Sequence, residues 1–196
     1  MENRIEELLE SLNSGDEGQA EKAVQSLKRL PAEQHTLAIE VLRQNYAAPE
    51  TDRRWWAVRA LAEMPEADAG ALLIGALGDA DPSVRQCAAL ALRIRRDPAA
   101  LAPLLDGLSD PDPLAARLAA EALAALGEAA TPALLELLPS SPANTRLLIV
   151  RALAEIGDPR AIPALFAALE DDSALVEYWA NEGLERMGVG MVFFSP

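Results

Sequence analysis

Residues 142–171 read PANTRLLIVRALAEIGDPRAIPALFAALED. Ile149, Ala152, Leu153 and Ile156 fall at i, i+3, i+4 and i+7, the spacing of an apolar stripe on one face of an α-helix. Leu165, Phe166 and Leu169 form a second helical stripe, and Gly157-Asp158-Pro159 between them carries stop and restart signals. Two short amphipathic helices joined by a turn cannot bury both stripes alone. They require stacked neighbours of the same kind.

The neighbours are present in register. Leu153 belongs to a column Leu61, Leu92, Leu123, Leu153, Leu184, separated by 31, 31, 30 and 31 residues. Small residues accompany it: Ala57, Ala88, Ala119, Ile149 and Ala180 in one column, and Ala60, Ala91, Ala122, Ala152 and Gly183 in the next. Such columns let helices approach closely. The second helix repeats as Leu73, Leu104, Leu134, Leu165 and as Leu77, Leu108, Leu138, Leu169. Asp81-Pro82, Asp112-Pro113 and Ser141-Pro142 each place an acceptor at an N-cap and a proline at the first helical position. Gly127, Gly157 and Gly188 follow the first helix, where a left-handed C-cap is wanted.

This pattern predicts an all-α, alpha-alpha superhelix, a HEAT-like solenoid of about twelve helices with five helix pairs plus terminal helices. One solenoid is expected over 1–196: a cap helix at 1–14, a degenerate repeat at 15–50 with Leu27 in the leucine column, regular repeats at 51–80, 81–111, 112–141 and 142–171, a last half-repeat at 172–188, and an apolar tail at 189–196. The units DPSVRQCAALALRIRRDPAALAPLLDGLSD and RLLIVRALAEIGDPRAIPALFAALEDD resemble HEAT-like repeats of the phycobilisome-lyase type. That resemblance implies a bilin lyase subunit or a pigment-protein chaperone as one reading of function. The same repeat also serves adaptors and accessory domains, and fold alone does not choose among them.

Composition narrows the field. The net charge of −14 opposes nucleic acid and acidic membranes. It weakens a further reading as a DNA-alkylation-repeat glycosylase, although residues 51–100 balance seven basic against seven acidic groups. No apolar run approaches the roughly 20 residues that span a bilayer, and MENRIEELLESL lacks the apolar core of a signal peptide, so a cytoplasmic protein is expected. The lone Cys87 and lone His35 exclude thiolate clusters and paired-histidine metal chemistry, including the di-iron hydroxylases built on such repeats, so no metal or cofactor is expected. His35 is expected to be solvated, and Cys87, in an apolar column, to be inert. Aspartates 79, 81, 110, 112, 171 and 172 are read as caps of inter-repeat turns.

Departures from the columns supply the candidate partner-binding residues. Trp55 shares a column with Gln86, Arg117, Leu147 and Tyr178, so nothing requires it inside; with Arg59 it is a candidate protein-contact anchor. Trp56 shares a column with Cys87, Leu118, Leu148 and Trp179 and is expected to be largely buried. Arg95 is a guanidinium among Met64, Leu126, Ile156 and Met187, and with Arg93 and Arg96 it forms a basic cluster. That cluster is either an anchor for an acidic group or an ion-pair site with Asp97, Glu66 or Glu128. Arg54, Arg85 and Arg146 are expected to form a structural ladder by pairing with aspartates in the turn after the first helix, Asp97 and Asp158 among them. Phe193 and Phe194 in the tail either cap the solenoid or dock on another chain, which would allow a homo-oligomer. The leading functional expectation is a non-enzymatic scaffold that binds a protein or peptide; the bilin lyase subunit is the alternative.

Overall fold

The computed structural model of the chain describes residues 2–189. Among them are twelve α-helices, four short 3-10 turns and no strand. The chain divides into two compact units, Met1–Arg95 and Arg96–Pro196.

The first unit holds α1 (Glu2–Leu12), α2 (Glu17–Lys28), α3 (Ala32–Tyr46), α4 (Thr51–Leu61), α5 (Ala67–Ala76) and α6 (Pro82–Arg95). Helix α1 packs on α2, α3 on α4, and α6 on both α4 and α5. The second unit holds α7 (Leu101–Gly107), α8 (Pro113–Leu126), α9 (Thr131–Leu137), α10 (Ala143–Ile156), α11 (Ile162–Ala168) and α12 (Ala174–Arg186). Here α8 packs on α7 and α10, and α12 on α10 and α11. Each unit is thus an array of helix pairs, as the two stripes per repeat require.

The leucine column forms the spine of both cores. Leu27, Leu61 and Leu92 are buried in the first unit, as are Leu123, Leu153 and Leu184 in the second. Each contributes about 2 kcal/mol by leaving water. Ala57, Ala60, Ala88, Ala119, Ala122, Ala152 and Ala180 are buried beside them, so the first helices lie close together. The tightest approach is at Gly183, where a Cβ would stand 2.8 Å from the Ala154 Cβ and 2.9 Å from its Cα.

Turn chemistry follows the sequence except at Ser141 and at Gly127, whose φ 70° and ψ −146° lie outside the left-handed helical region. Asp112 caps α8 by accepting from the Ala115 N–H at 2.8 Å, and Asp81 accepts from Ser83 N–H at 2.8 Å. Ser141 does not cap α10: its hydroxyl donates to the Leu137 carbonyl, and Pro142 occupies the cap position. Gly157 ends α10 in the left-handed region at φ 70°. Gly127 and Gly188 also have positive φ, and at the equivalent place in its repeat Arg96 adopts φ 55°, a conformation that costs a side-chain-bearing residue energy.

Candidate functional site

Arg54 and Arg146 pair with Asp79 and Asp171, not with the two aspartates expected. Arg54 donates from Nε and Nη2 to the two oxygens of Asp79, both at 2.9 Å, and from Nη1 to the Pro49 carbonyl at 2.8 Å. Arg146 makes the corresponding pair with Asp171, at 2.6 and 3.4 Å, and donates to the Ser141 carbonyl at 3.4 Å. Arg85 donates to the carbonyls of Asp79 and Ala80. Each arginine therefore grips the turn that enters its own repeat. Arg54 and Arg146 also reach the aspartate in the turn that leaves it, after the second helix.

Asp97 and Asp158, the partners expected from sequence, cap 3-10 turns instead. Asp97 accepts from the Ala99 N–H at 2.9 Å and Asp158 from the Arg160 N–H at 2.9 Å. The Arg160 side chain also grips the Asp158 carboxylate and holds its pKa at about 2. In the ladder itself, the hydrogen bonds from Arg146 push the Asp171 carboxyl below the usual range. Asp79 is likewise lowered: burial raises it, and the bonds from Arg54 and the Asp81 N–H outweigh that.

The basic cluster does not converge. Arg95 turns back onto the loop after α4 and donates to the carbonyls of Met64, Pro65 and Glu66, so it is spent on backbone acceptors and forms no ion-pair site. Arg96 is exposed at its left-handed turn and Arg93 is half-buried. Arg59 is engaged with Glu21 and Glu63, each at 2.8 Å, and Lys28 joins Glu63 from α2. Arg59 therefore ties α2 to α4 and is not a free anchor.

His35 is not solvated. Its Nδ1 faces the Glu66 carboxylate and its Nε2 the Leu30 carbonyl at 2.9 Å, and the side chain is 12% exposed. Two acceptors facing two ring nitrogens favour the imidazolium, so the hydrogen bond to Glu66 raises the pKa against the opposing effect of burial. Cys87 is half-buried, and desolvation pushes its thiol up to about 11.

A cleft with room for a ligand lies in the first unit, at the N-terminal ends of α2, α4 and α6. It measures about 690 Å³ and is lined by Glu17 of α2, by Glu50, Asp52, Arg53, Trp55 and Trp56 around the start of α4, and by Ser83 of α6. That volume is typical of small-ligand and side-chain sites. Both tryptophans are half-buried, and Trp56 shares that partial cover with the rest of its column, Cys87, Leu118, Leu148 and Trp179. The Trp55 and Trp56 rings meet edge to face, with centroids 4.8 Å apart at 90°.

Arg53 and Asn13 line both this cleft and a second of about 630 Å³ that Leu9, Val41 and Asn45 also help to line. The Arg53 Nη2 donates to Asn45 Oδ1 at 2.7 Å, and Asn45 and Asn13 exchange side-chain amide bonds at 3.3 and 3.4 Å. The Arg53 Nε is buried without an acceptor. Arg53, Asn13 and Asn45 were missed from sequence because their link runs from α1 through α3 to α4. In the second unit a cleft of about 560 Å³ is lined by Leu105, Asp106, Glu136 and Leu137 among others. Among the described residues no group of histidine, cysteine and carboxylate side chains is arranged to hold a metal. None of the described helices is long and apolar enough to cross a membrane. Phe193 and Phe194 lie outside the described residues.

HEAT repeats match residues 39–124 and 102–185. The chain belongs to the HEAT repeat family. As a HEAT repeat protein it is 38% identical over 117 residues to a phycocyanobilin lyase subunit beta of Pseudanabaena tenuis, a match covering 59% of this chain and 42% of that one. It is also 38% identical over 119 residues to a phycobilisome maturation protein of Synechococcus elongatus, covering 59% and 56%. The matches cover about half the length of these relatives.

Two solved structures share the fold. The complex of CpcE and CpcF of phycocyanin lyase from Nostoc is 21% identical with a TM-score of 0.53, covering 94% of this chain and 77% of that one. The archaeal HEAT-like repeats protein from Thermococcus onnurineus is 16% identical with a TM-score of 0.62, covering 97% and 83%.

The lyase-named relatives overturn the expectation of a non-enzymatic scaffold and favour the alternative. The scaffold reading rested on the lack of paired catalytic side chains. That lack does not separate a scaffold from an enzyme whose reactive chemistry resides in a bound pigment.

Proposed function

We propose that this HEAT repeat chain is a bilin lyase subunit or a closely related maturation factor, which handles an open-chain tetrapyrrole on its way to or from a phycobiliprotein. The observation that carries this reading is the 38% identity to a phycocyanobilin lyase subunit and to a phycobilisome maturation protein. The cleft beside Trp55 and Trp56 supplies room for a ligand or for a segment of the client. Reactivity is left to the pigment and the client, and the chain contributes binding and orientation. The name of the Pseudanabaena relative, a subunit beta, supports a second protein subunit in the working unit.

The test is chromophore attachment with phycocyanobilin, an apo-phycocyanin and a lyase partner subunit, with and without this chain. Visible absorbance and comigration of colour with the apoprotein on a denaturing gel are the readouts. The proposal expects attachment to rise several-fold over the mixture lacking the chain. An unchanged yield overturns it.

A further inference from the structure

The Trp55–Trp56 pair has a counterpart within the chain. Four repeats later, Tyr178 and Trp179 occupy the same two columns and again meet edge to face, with centroids 5.4 Å apart at 80°. There the second ring is covered by a cation: the Arg151 guanidinium lies 5.0 Å from the centroid of Trp179. Arg151 stands two residues before the column leucine of the preceding repeat, Leu153. Arg59 holds the same place before Leu61, and its charge acts on Cys87, which sits in the tryptophan column of the following repeat. The position two before the leucine thus aims at the tryptophan column of the next repeat.

By register, the residue at that position in the repeat before Trp56 is Gln25, two before Leu27. It is neutral, and its amide donates to Glu21 at 3.0 Å. Around the two rings, Glu17, Glu50 and Asp52 set three carboxylates against the single guanidinium of Arg53, which donates from Nη2 to Asn45 and stands 3.8 Å from Glu50 through Nη1, leaving an excess of two carboxylates. Aromatic faces beside surplus negative charge favour a cation.

We infer that this cleft docks a basic side chain, an arginine or lysine presented by a protein partner, which takes the place over Trp56 that Arg151 takes over Trp179. The inference goes beyond the proposed function. It concerns the chemistry of a protein contact and involves no pigment.

The experiment titrates the intact chain with the capped pentapeptide Ala-Ala-Arg-Ala-Ala and with its citrulline counterpart, following tryptophan fluorescence in low salt. The arginine peptide is expected to quench saturably, and the citrulline peptide to bind at least fivefold more weakly. Glu50→Gln with Asp52→Asn should weaken arginine-peptide binding at least threefold. Gln25→Arg, a change at a half-buried position that supplies the missing guanidinium internally, should abolish it, while circular dichroism verifies that both variants keep their helix content. Equal binding of the two peptides overturns the inference, as does full binding by the Gln25→Arg chain. Because no pigment or phycobiliprotein is present, failure here is distinct from failure of the attachment assay.

Discussion

Removing the carboxylate of Asp79 tests the ladder where it is most buried. The Asp79 side chain is 5% exposed and the Arg54 side chain 15%. The carboxylate accepts two bonds from Arg54 and one from the Asp81 N–H, each at 2.9 Å. Asp79→Ala removes all three and leaves a guanidinium that keeps the Pro49 and Ala48 carbonyls but loses its counter-charge. Breaking a buried pair from one side costs about 3–5 kcal/mol, and the residual exposure of Arg54 places the loss near the lower end, about 3 kcal/mol.

The second unit supplies an internal comparison. Arg146 is 33% exposed and one of its two bonds to Asp171 is 3.4 Å long, so Asp171→Ala should cost about 1–2 kcal/mol. Urea unfolding followed by tryptophan fluorescence reads the first unit in a Trp179→Phe background, where Trp55 and Trp56 remain, and the second in a Trp55→Phe, Trp56→Phe background, where Trp179 remains. A double-mutant cycle of Asp79→Ala with Arg54→Ala should return a coupling of about 2 kcal/mol. A loss under about 1 kcal/mol for Asp79→Ala, or a coupling near zero, would refute the claim that the pair clasps the turns of its repeat.

Three further outcomes follow from single residues. His35 has its pKa raised in the folded chain by Glu66, so its contribution is fully present below 6.5 and is lost as pH rises through the folded value; the urea midpoint should fall from pH 6 to pH 8, and His35→Gln should flatten that slope. Gly183→Ala drives a methyl into Ala154 and Leu165 at 2.8–3.0 Å and should cost about 1–3 kcal/mol, seen as a lower urea midpoint by Trp179 fluorescence. Arg96→Gly relieves a positive φ at the place where other repeats carry glycine, and should raise stability by about 0.5–1 kcal/mol in thermal unfolding; a fall would show that the arginine side chain is needed there.

What sequence made legible was whatever one repeat shows by itself. The leucine spine, the small-residue columns and the glycine after the first helix follow from periodicity and backbone conformation, so Leu61, Leu123 and Gly157 stand where their columns put them. Contacts between turns were not legible. The partner of Arg54 lies 25 residues on, beyond a whole helix, so choosing Asp79 over Asp97 depends on how α4 and α5 pack. His35 finds Glu66, and Arg95 finds the carbonyls of 64–66, by the same inter-repeat proximity. Trp56 is partly covered like the rest of its column, but the cleft against it depends on how the start of α4 packs on its neighbours and was not legible. The signal that would have drawn attention to it is the recurrence of its pair at Tyr178 and Trp179 with Arg151 two places before the leucine.

The most direct test of the central claim is the time course of pigment attachment to an apo-phycocyanin, measured as colour that stays with the apoprotein after denaturation. The account predicts a faster initial rate and higher final yield when this chain joins phycocyanobilin and the partner subunit than when heat-unfolded chain replaces it. Identical time courses for native and unfolded chain would contradict it.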